Sequence, residues 1–187
     1  MVKIILKGED CGFTWSASHL LPGHFKCSRM HGHNYVMDIE ISSDSLVNGM
    51  VIDFVEIKKD VRKMIEIYDH RLMLPKEALI PHRTSMNVKG IGITTEDSTG
   101  IDGIYQISYT GMNNNAKLYT IPQEDVVFLP YLNVVTAENL AKYFAFEIKE
   151  IVNQIIEENS SSWNTIEVTI FEDSGQGAIY QISNNKE

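Results

Sequence analysis

HNYVMDIEIS, residues 33–42, carries the clearest pattern in this chain. Tyr35, Met37, Ile39 and Ile41 fall on one face and Asp38, Glu40 and Ser42 on the other, the period of two that marks a strand buried on one side. Before it, residues 2–7 (VKIILK) and about 12–19 read as two more strands, and a loop with Pro22 and Gly23 leads into the third. After it the period changes. Ile57, Val61, Met64, Ile65 and Tyr68 recur at spacings of three and four, with Lys58, Lys59, Arg62 and Lys63 between them. That spacing predicts an amphipathic helix beginning at about Asp53, which or whose neighbour caps it.

Thr136 is a good N-cap for a second helix reaching about Glu158, with Leu140, Phe144, Ile148, Ile151 and Ile155 as its stripe. Ile166, Val168 and Ile170 then alternate as a strand, and Ala178 to Ile182 gives the last one beyond Gly175 and Gly177. The stretch from Pro75 to Pro130 differs, being rich in Pro, Gly, Thr and Asn. Within it, Gly103–Tyr109 and Ala116–Ile121 flank an open turn that includes Asn113-Asn114-Asn115, the layout of a hairpin. With few apolar residues of its own, this stretch reads as an inserted β-hairpin rather than a second domain. Ser160-Ser161-Ser162 reads as a loop. The order β-β-α, insert, α-β-β predicts an α+β fold, an antiparallel sheet with two helices packed on one face, in a single domain spanning 1–187 with an insertion at about 75–130.

Composition bounds the function. At 187 residues, with 43% hydrophobic and 22% charged, the chain has ordinary globular usage, which excludes a disordered or fibrous protein. A net charge of -9 without a long basic block argues against nucleic acid as the main partner. No apolar run approaches the roughly 20 residues of a membrane span. Two cysteines make no disulfide framework, so a reducing, cytoplasmic setting is expected.

Chemistry concentrates in the first third. On a strand, His31 and His33 present both imidazoles on one face, and Gly32 between them admits a close neighbour. If the strand bearing His19 pairs with this one, three imidazoles converge, the ligand set of a catalytic zinc site with one position open. Ordinary hydrogen-bonded histidines are the competing reading, and His24 and His82, in loops beside Gly or Pro, keep it. Cys27, four residues before His31, is either a small buried hydrophobe or a thiol activated by a nearby metal or histidine; Cys11 reads as structural. Asp69-His70 reads as a carboxylate-imidazole pair for proton transfer or as a helix C-terminus interacting with its dipole. Glu172 continues the face of Ile166, Val168 and Ile170, and is either a solvated strand end or a carboxylate set to accept paired N–H groups from a ring edge.

The segment FTWSASHLLPGHFKCSRMHGHNYVMDIEI (13–41) resembles the zinc-and-cysteine region of the 6-pyruvoyl-tetrahydropterin synthase family. GMVIDF (49–54), YDHRLML (68–74), TAENLA (136–141) and FEDSGQGAIY (171–180) follow in that family's order. Cys27 followed by three residues and then His31-Gly32-His33 looks like its 6-carboxy-5,6,7,8-tetrahydropterin synthase branch. The resemblance covers roughly 1–74 and 130–182 and implies the tunnelling fold, assembled as a homo-oligomer, trimer or hexamer, with sites between subunits. It implies Zn²⁺ on His19, His31 and His33, Cys27 as the proton-abstracting base, Asp69 and His70 as the acid/base pair, and Glu172 with Thr136 at the pterin ring. The implied substrate is 7,8-dihydroneopterin triphosphate, a small molecule, and Lys26, Arg29 and Arg71 stay unassigned. Formation of pyruvoyl-tetrahydropterin, cleavage to a hydroxymethyl-pterin, and non-catalytic pterin or purine binding are the alternatives.

Overall fold

The computed structural model describes residues 1–81, 91–94, 102–110, 115–159 and 162–184. In chain order the elements are β1 (Val2–Leu6), α1 (Gly8–Cys11), β2 (Thr14–His19), β3 (His31–Ser43), α2 (Phe54–Ile65), β4 (Leu72–Pro75), β5 (Leu79–Pro81), β6 (Ile91–Thr94), β7 (Ile104–Thr110), β8 (Ala116–Pro122), β9 (Val126–Leu129), α3 (Ala137–Asn159), β10 (Thr165–Asp173) and β11 (Gln176–Ser183). They form two compact units interleaved in sequence. The first is Met1–Trp15, Asn34–Asp69 and Ala137–Glu187, and the second is Ser16–His33 and His70–Thr136.

In the first unit, β3 pairs antiparallel with both β1 and β10, and β10 with β11. Ile166, Val168 and Ile170 stand opposite Ile41, Ile39 and Met37. All six are fully buried, as is Tyr35, and each such side chain contributes about 1.5–3 kcal/mol by leaving water. The helix α3 covers β10 and β11, and α2 packs on α3. Trp15 stacks on Tyr35 at 5.2 Å and meets the ring of Phe144 edge-on at the same distance. Asp53 caps α2 by accepting from the Val55 N–H at 2.6 Å, and Ile57, Val61, Met64 and Ile65 form its buried face.

Three local expectations change. Ser42 is buried, not solvated, because its hydroxyl meets Thr165 Oγ1 at 2.5 Å and accepts from the Thr165 N–H at 3.1 Å. Along α3, Val152 is the fully buried residue where Ile151 was expected, and Ile151 is half-buried. Gly12 does not begin a strand; it ends α1 at φ 71°, with its N–H on the carbonyl of Gly8, a left-handed cap that glycine adopts without strain.

The second unit explains the 75–130 stretch. Its parallel β2, β4 and β9 place Ser18 beside Leu72 and Leu72 beside Val126. A second sheet has the order β5-β6-β7-β8, with β7 and β8 forming the expected antiparallel hairpin, Ile104 opposite Pro122 through Thr110 opposite Ala116. Beside the hairpin the stretch carries β5, β6 and β9, and its apolar residues share a core with residues from outside it. Leu20, Leu72 and Leu74, from outside or at the edge of the stretch, join Ile91, Ile107, Tyr109 and Val126 in one buried cluster. Counting apolar residues within 75–130 alone misses that contribution. His82, Asn113, Asn114, Ser160 and Ser161 lie outside the described residues. Among the described residues, no helix is long and apolar enough to cross a membrane.

Candidate metal centre

Histidines 19, 31 and 33 come together in the second unit. His19 ends β2, and His31 and His33 open β3 with their side chains on the same face. Ring centroids are 4.5 Å apart for His19 and His31, 5.1 Å for His19 and His33, and 5.3 Å for His31 and His33. One ligating atom from each lies within 4.8 Å of the other two. Gly32 allows this approach: a Cβ there would stand 2.9 Å from the carbonyl oxygen of Ala17, which no ordinary side chain tolerates.

The rings are oriented from behind. His19 Nδ1 donates to the carbonyl of Val135 at 2.8 Å, and His31 Nδ1 donates to the carbonyl of Arg29 at 2.7 Å. With Nδ1 so committed, each ring carries its lone pair on Nε2, the arrangement that second-shell acceptors impose on metal-binding histidines. His19 is buried, and burial, with smaller contributions from His31 and His33, lowers its pKa from 6.5 to about 4. It is therefore neutral near pH 7, as a ligand must be. Three imidazoles without a thiolate or carboxylate among the clustered residues fit a divalent cation of the zinc type with room for a further ligand.

Cys27 sits half-buried in the tight loop between β2 and β3. Its carbonyl accepts from the Leu21 N–H at 2.7 Å, and its own N–H donates to His24 Nδ1 at 3.3 Å. His24, read as an ordinary hydrogen-bonding histidine, thus supports the Cys27 turn. Thr136 directly precedes α3. His70 is exposed and adopts φ 58°, a left-handed conformation that costs a non-glycine residue energy and recurs at functional sites. It is held there by its N–H on the Ser16 carbonyl at 2.7 Å, while Ser18 N–H bonds the Arg71 carbonyl at 3.0 Å.

Asp69 and Glu172 belong to the first unit. Asp69 N–H reaches back to the Ile65 carbonyl at 3.2 Å, just past the end of α2. Glu172 is half-buried at a β-bulge, where the register shifts between Phe171, opposite Gly177, and Asp173, opposite Gln176. Its charge helps to raise the pKa of Tyr35, behind the larger effect of that phenol's burial. Cys11, read as structural, is buried, and its carbonyl accepts from Arg62 Nε at 2.8 Å. The carbonyls of Val135 and Arg29 escape a sequence reading altogether, since no residue letter marks a backbone acceptor.

The model of the 6-pyruvoyl tetrahydropterin synthase family matches residues 10–183. This chain belongs to that family. A relative from Methanocaldococcus jannaschii, provisionally named a 6-carboxy-5,6,7,8-tetrahydropterin synthase, is 35% identical over 94% of each chain. One of the same provisional name from Pyrococcus horikoshii is 29% identical over 85% of this chain and 80% of its own. Among solved structures, the 6-pyruvoyl tetrahydropterin synthase of Plasmodium vivax superposes with a TM-score of 0.73 at 22% identity, covering 98% of both chains. The expected α+β tunnelling fold of the tetrahydropterin synthases is therefore the fold of this chain. The P. vivax likeness extends through the segment that the sequence motifs left uncovered.

Proposed function

We propose that this protein is a zinc-dependent 6-carboxy-5,6,7,8-tetrahydropterin synthase, a lyase that converts 7,8-dihydroneopterin triphosphate to 6-carboxytetrahydropterin with loss of triphosphate and acetaldehyde, toward 7-deazaguanine nucleosides. The observation that carries the reading is the convergence of His19, His31 and His33, two of them with Nδ1 fixed on backbone carbonyls. It stands in a chain whose full-length relatives bear that name. The interval of three residues between Cys27 and His31 favours the carboxy branch over the pyruvoyl one.

Zn²⁺ held by the three histidines would supply Lewis acidity toward the side-chain oxygens of the substrate, acidifying the neighbouring C–H. The chain's own groups do the rest. Cys27 as thiolate takes the C–H proton. His70, paired with Asp69, moves protons to and from the side chain of the substrate. Glu172 accepts the paired N–H groups of the pterin ring, and Thr136 bonds its edge. The chain acts as one tunnelling-fold domain in a cytoplasmic homo-oligomer, trimer or hexamer, with lysines and arginines of a neighbouring subunit meeting the phosphates.

Incubating the zinc-loaded protein with 7,8-dihydroneopterin triphosphate tests this. Acetaldehyde and a carboxypterin are expected, and Cys27→Ala lowers the rate by about 10²–10⁴-fold while the protein keeps its zinc. A pyruvoyl or hydroxymethyl pterin as sole product, or binding without turnover, replaces the proposal with the corresponding alternative.

A further inference from the structure

The loop that carries Cys27 is clamped by the four-stranded sheet. Both ends of the loop, Leu20 and Met30, pack against the cluster that contains Ile107 and Tyr109 of β7. Between them, the hydroxyl of Tyr109 donates to the carbonyl oxygen of Ser28, the residue that follows Cys27. Tyr109 is 5% exposed and stacks on Tyr119 of β8 at 6.1 Å, their planes within 12°. Its hydroxyl is thus fixed by a rigid strand pair, and Ser28 is itself buried.

The rest of the loop is tied to the same point. Ser28 N–H bonds the His24 carbonyl at 3.1 Å, Arg29 N–H the Lys26 carbonyl at 3.1 Å, and Cys27 O receives the Leu21 N–H. One residue beyond Ser28, the Arg29 carbonyl holds His31 Nδ1. A short loop so connected moves as a body, and its outer contact sets where that body rests. We infer that Tyr109 is a positioning residue, which through Ser28 holds the Cys27 thiol where the reaction needs it, so that the added sheet serves catalysis and not stability alone. The catalytic half of this inference rests on the function proposed above; the placement of the thiol does not. Misplacement of a reacting group by about 1 Å is enough to cost about 10²-fold in rate.

The test is Tyr109→Phe, which removes one oxygen and keeps the ring. Its comparison is Tyr105→Phe, the same change on the same strand at a phenol that packs on Phe128. Alkylation of Cys27 and Cys11 by iodoacetamide is followed by peptide mass spectrometry. In Tyr109→Phe, Cys27 labelling rises at least about 3-fold with Cys11 unchanged, as local rather than global loosening requires; Tyr105→Phe matches the parent protein. Turnover falls about 10-fold in kcat with KM within about 2-fold, the signature of a misaligned group rather than lost binding. Cys27 labelling at the parent rate, or rising in step with Cys11, overturns the inference. If the parent protein turns over no pterin, the proposed function fails, and the labelling still decides the placement. Should Tyr109→Phe not fold, hydrogen exchange in the parent protein decides instead. The amides of Leu21, Ser28 and Arg29 are expected to be protected to within about tenfold of those in β7, and exchange at unprotected rates overturns the inference.

Discussion

His19 Nδ1 and the carbonyl oxygen of Val135 are 2.8 Å apart and 116 residues apart in sequence. The bond joins the end of β2 to the residue just before Thr136, and it fixes both the tautomer and the tilt of the most buried of the three imidazoles. A ring held this way meets a cation without first giving up rotational freedom, which is how outer contacts raise metal affinity.

The purified protein should bind one zinc ion per chain. Replacing His31 or His33 by alanine removes one of the three proposed ligands. Each change should weaken zinc by more than about 100-fold, since outer-shell losses alone cost 10–100-fold. Competition against a chromophoric chelator reads this directly, and an affinity unchanged in both variants places the ion elsewhere.

Acid should destabilise the metal-free protein in a defined window. Burial lowers the His19 pKa from 6.5 to about 4, so between those values the unfolded chain binds a proton that the folded chain refuses. Stability contributed by the neutral ring is complete above pH 6.5 and is lost as pH falls toward 4. The loss reaches on the order of 3 kcal/mol. Urea midpoints of chelator-treated protein at pH 7, 6 and 5 should fall accordingly, and His19→Gln should flatten the trend.

Gly32→Ala should disturb the trio without touching a ligand. The new methyl group would press on the Ala17 carbonyl from 2.9 Å, and backbone cannot swing aside as a flexible side chain can. A loss of about 1–3 kcal/mol is expected from such overpacking, together with weaker zinc binding. Equal stability to the parent in denaturant titration would show that the two strands can part at no cost.

Asp53→Ala should cost about 1 kcal/mol, the usual value of an N-cap. Its carboxylate serves the Val55 N–H at the start of α2, far in sequence from the histidines. Thermal unfolding reads the change, and zinc affinity should remain that of the parent.

What could be read from the letters follows from what side chains announce. Tyr35, Met37, Ile39 and Ile41 announce a buried face because four large apolar groups at period two have only one stable use. His31-Gly32-His33 announces a shared face for the same geometric reason. Ser42 misleads, because a hydroxyl is equally at home in water and against Thr165. Strands β5 and β6, of three and four residues, are too short for any period to show. Tyr109 ends a segment legible only as one arm of a hairpin; only the fold reveals that its oxygen reaches Ser28.

The bulge in β10 has a consequence for how this protein tolerates change. Glu172 stands where two neighbouring strands differ by one in residue count, and that mismatch helps to set its direction. Shortening the chain there by one should therefore redirect it. Such a deletion would restore a regular ladder, turn the acid toward a new face, and leave an otherwise sound sheet with its carboxylate misdirected.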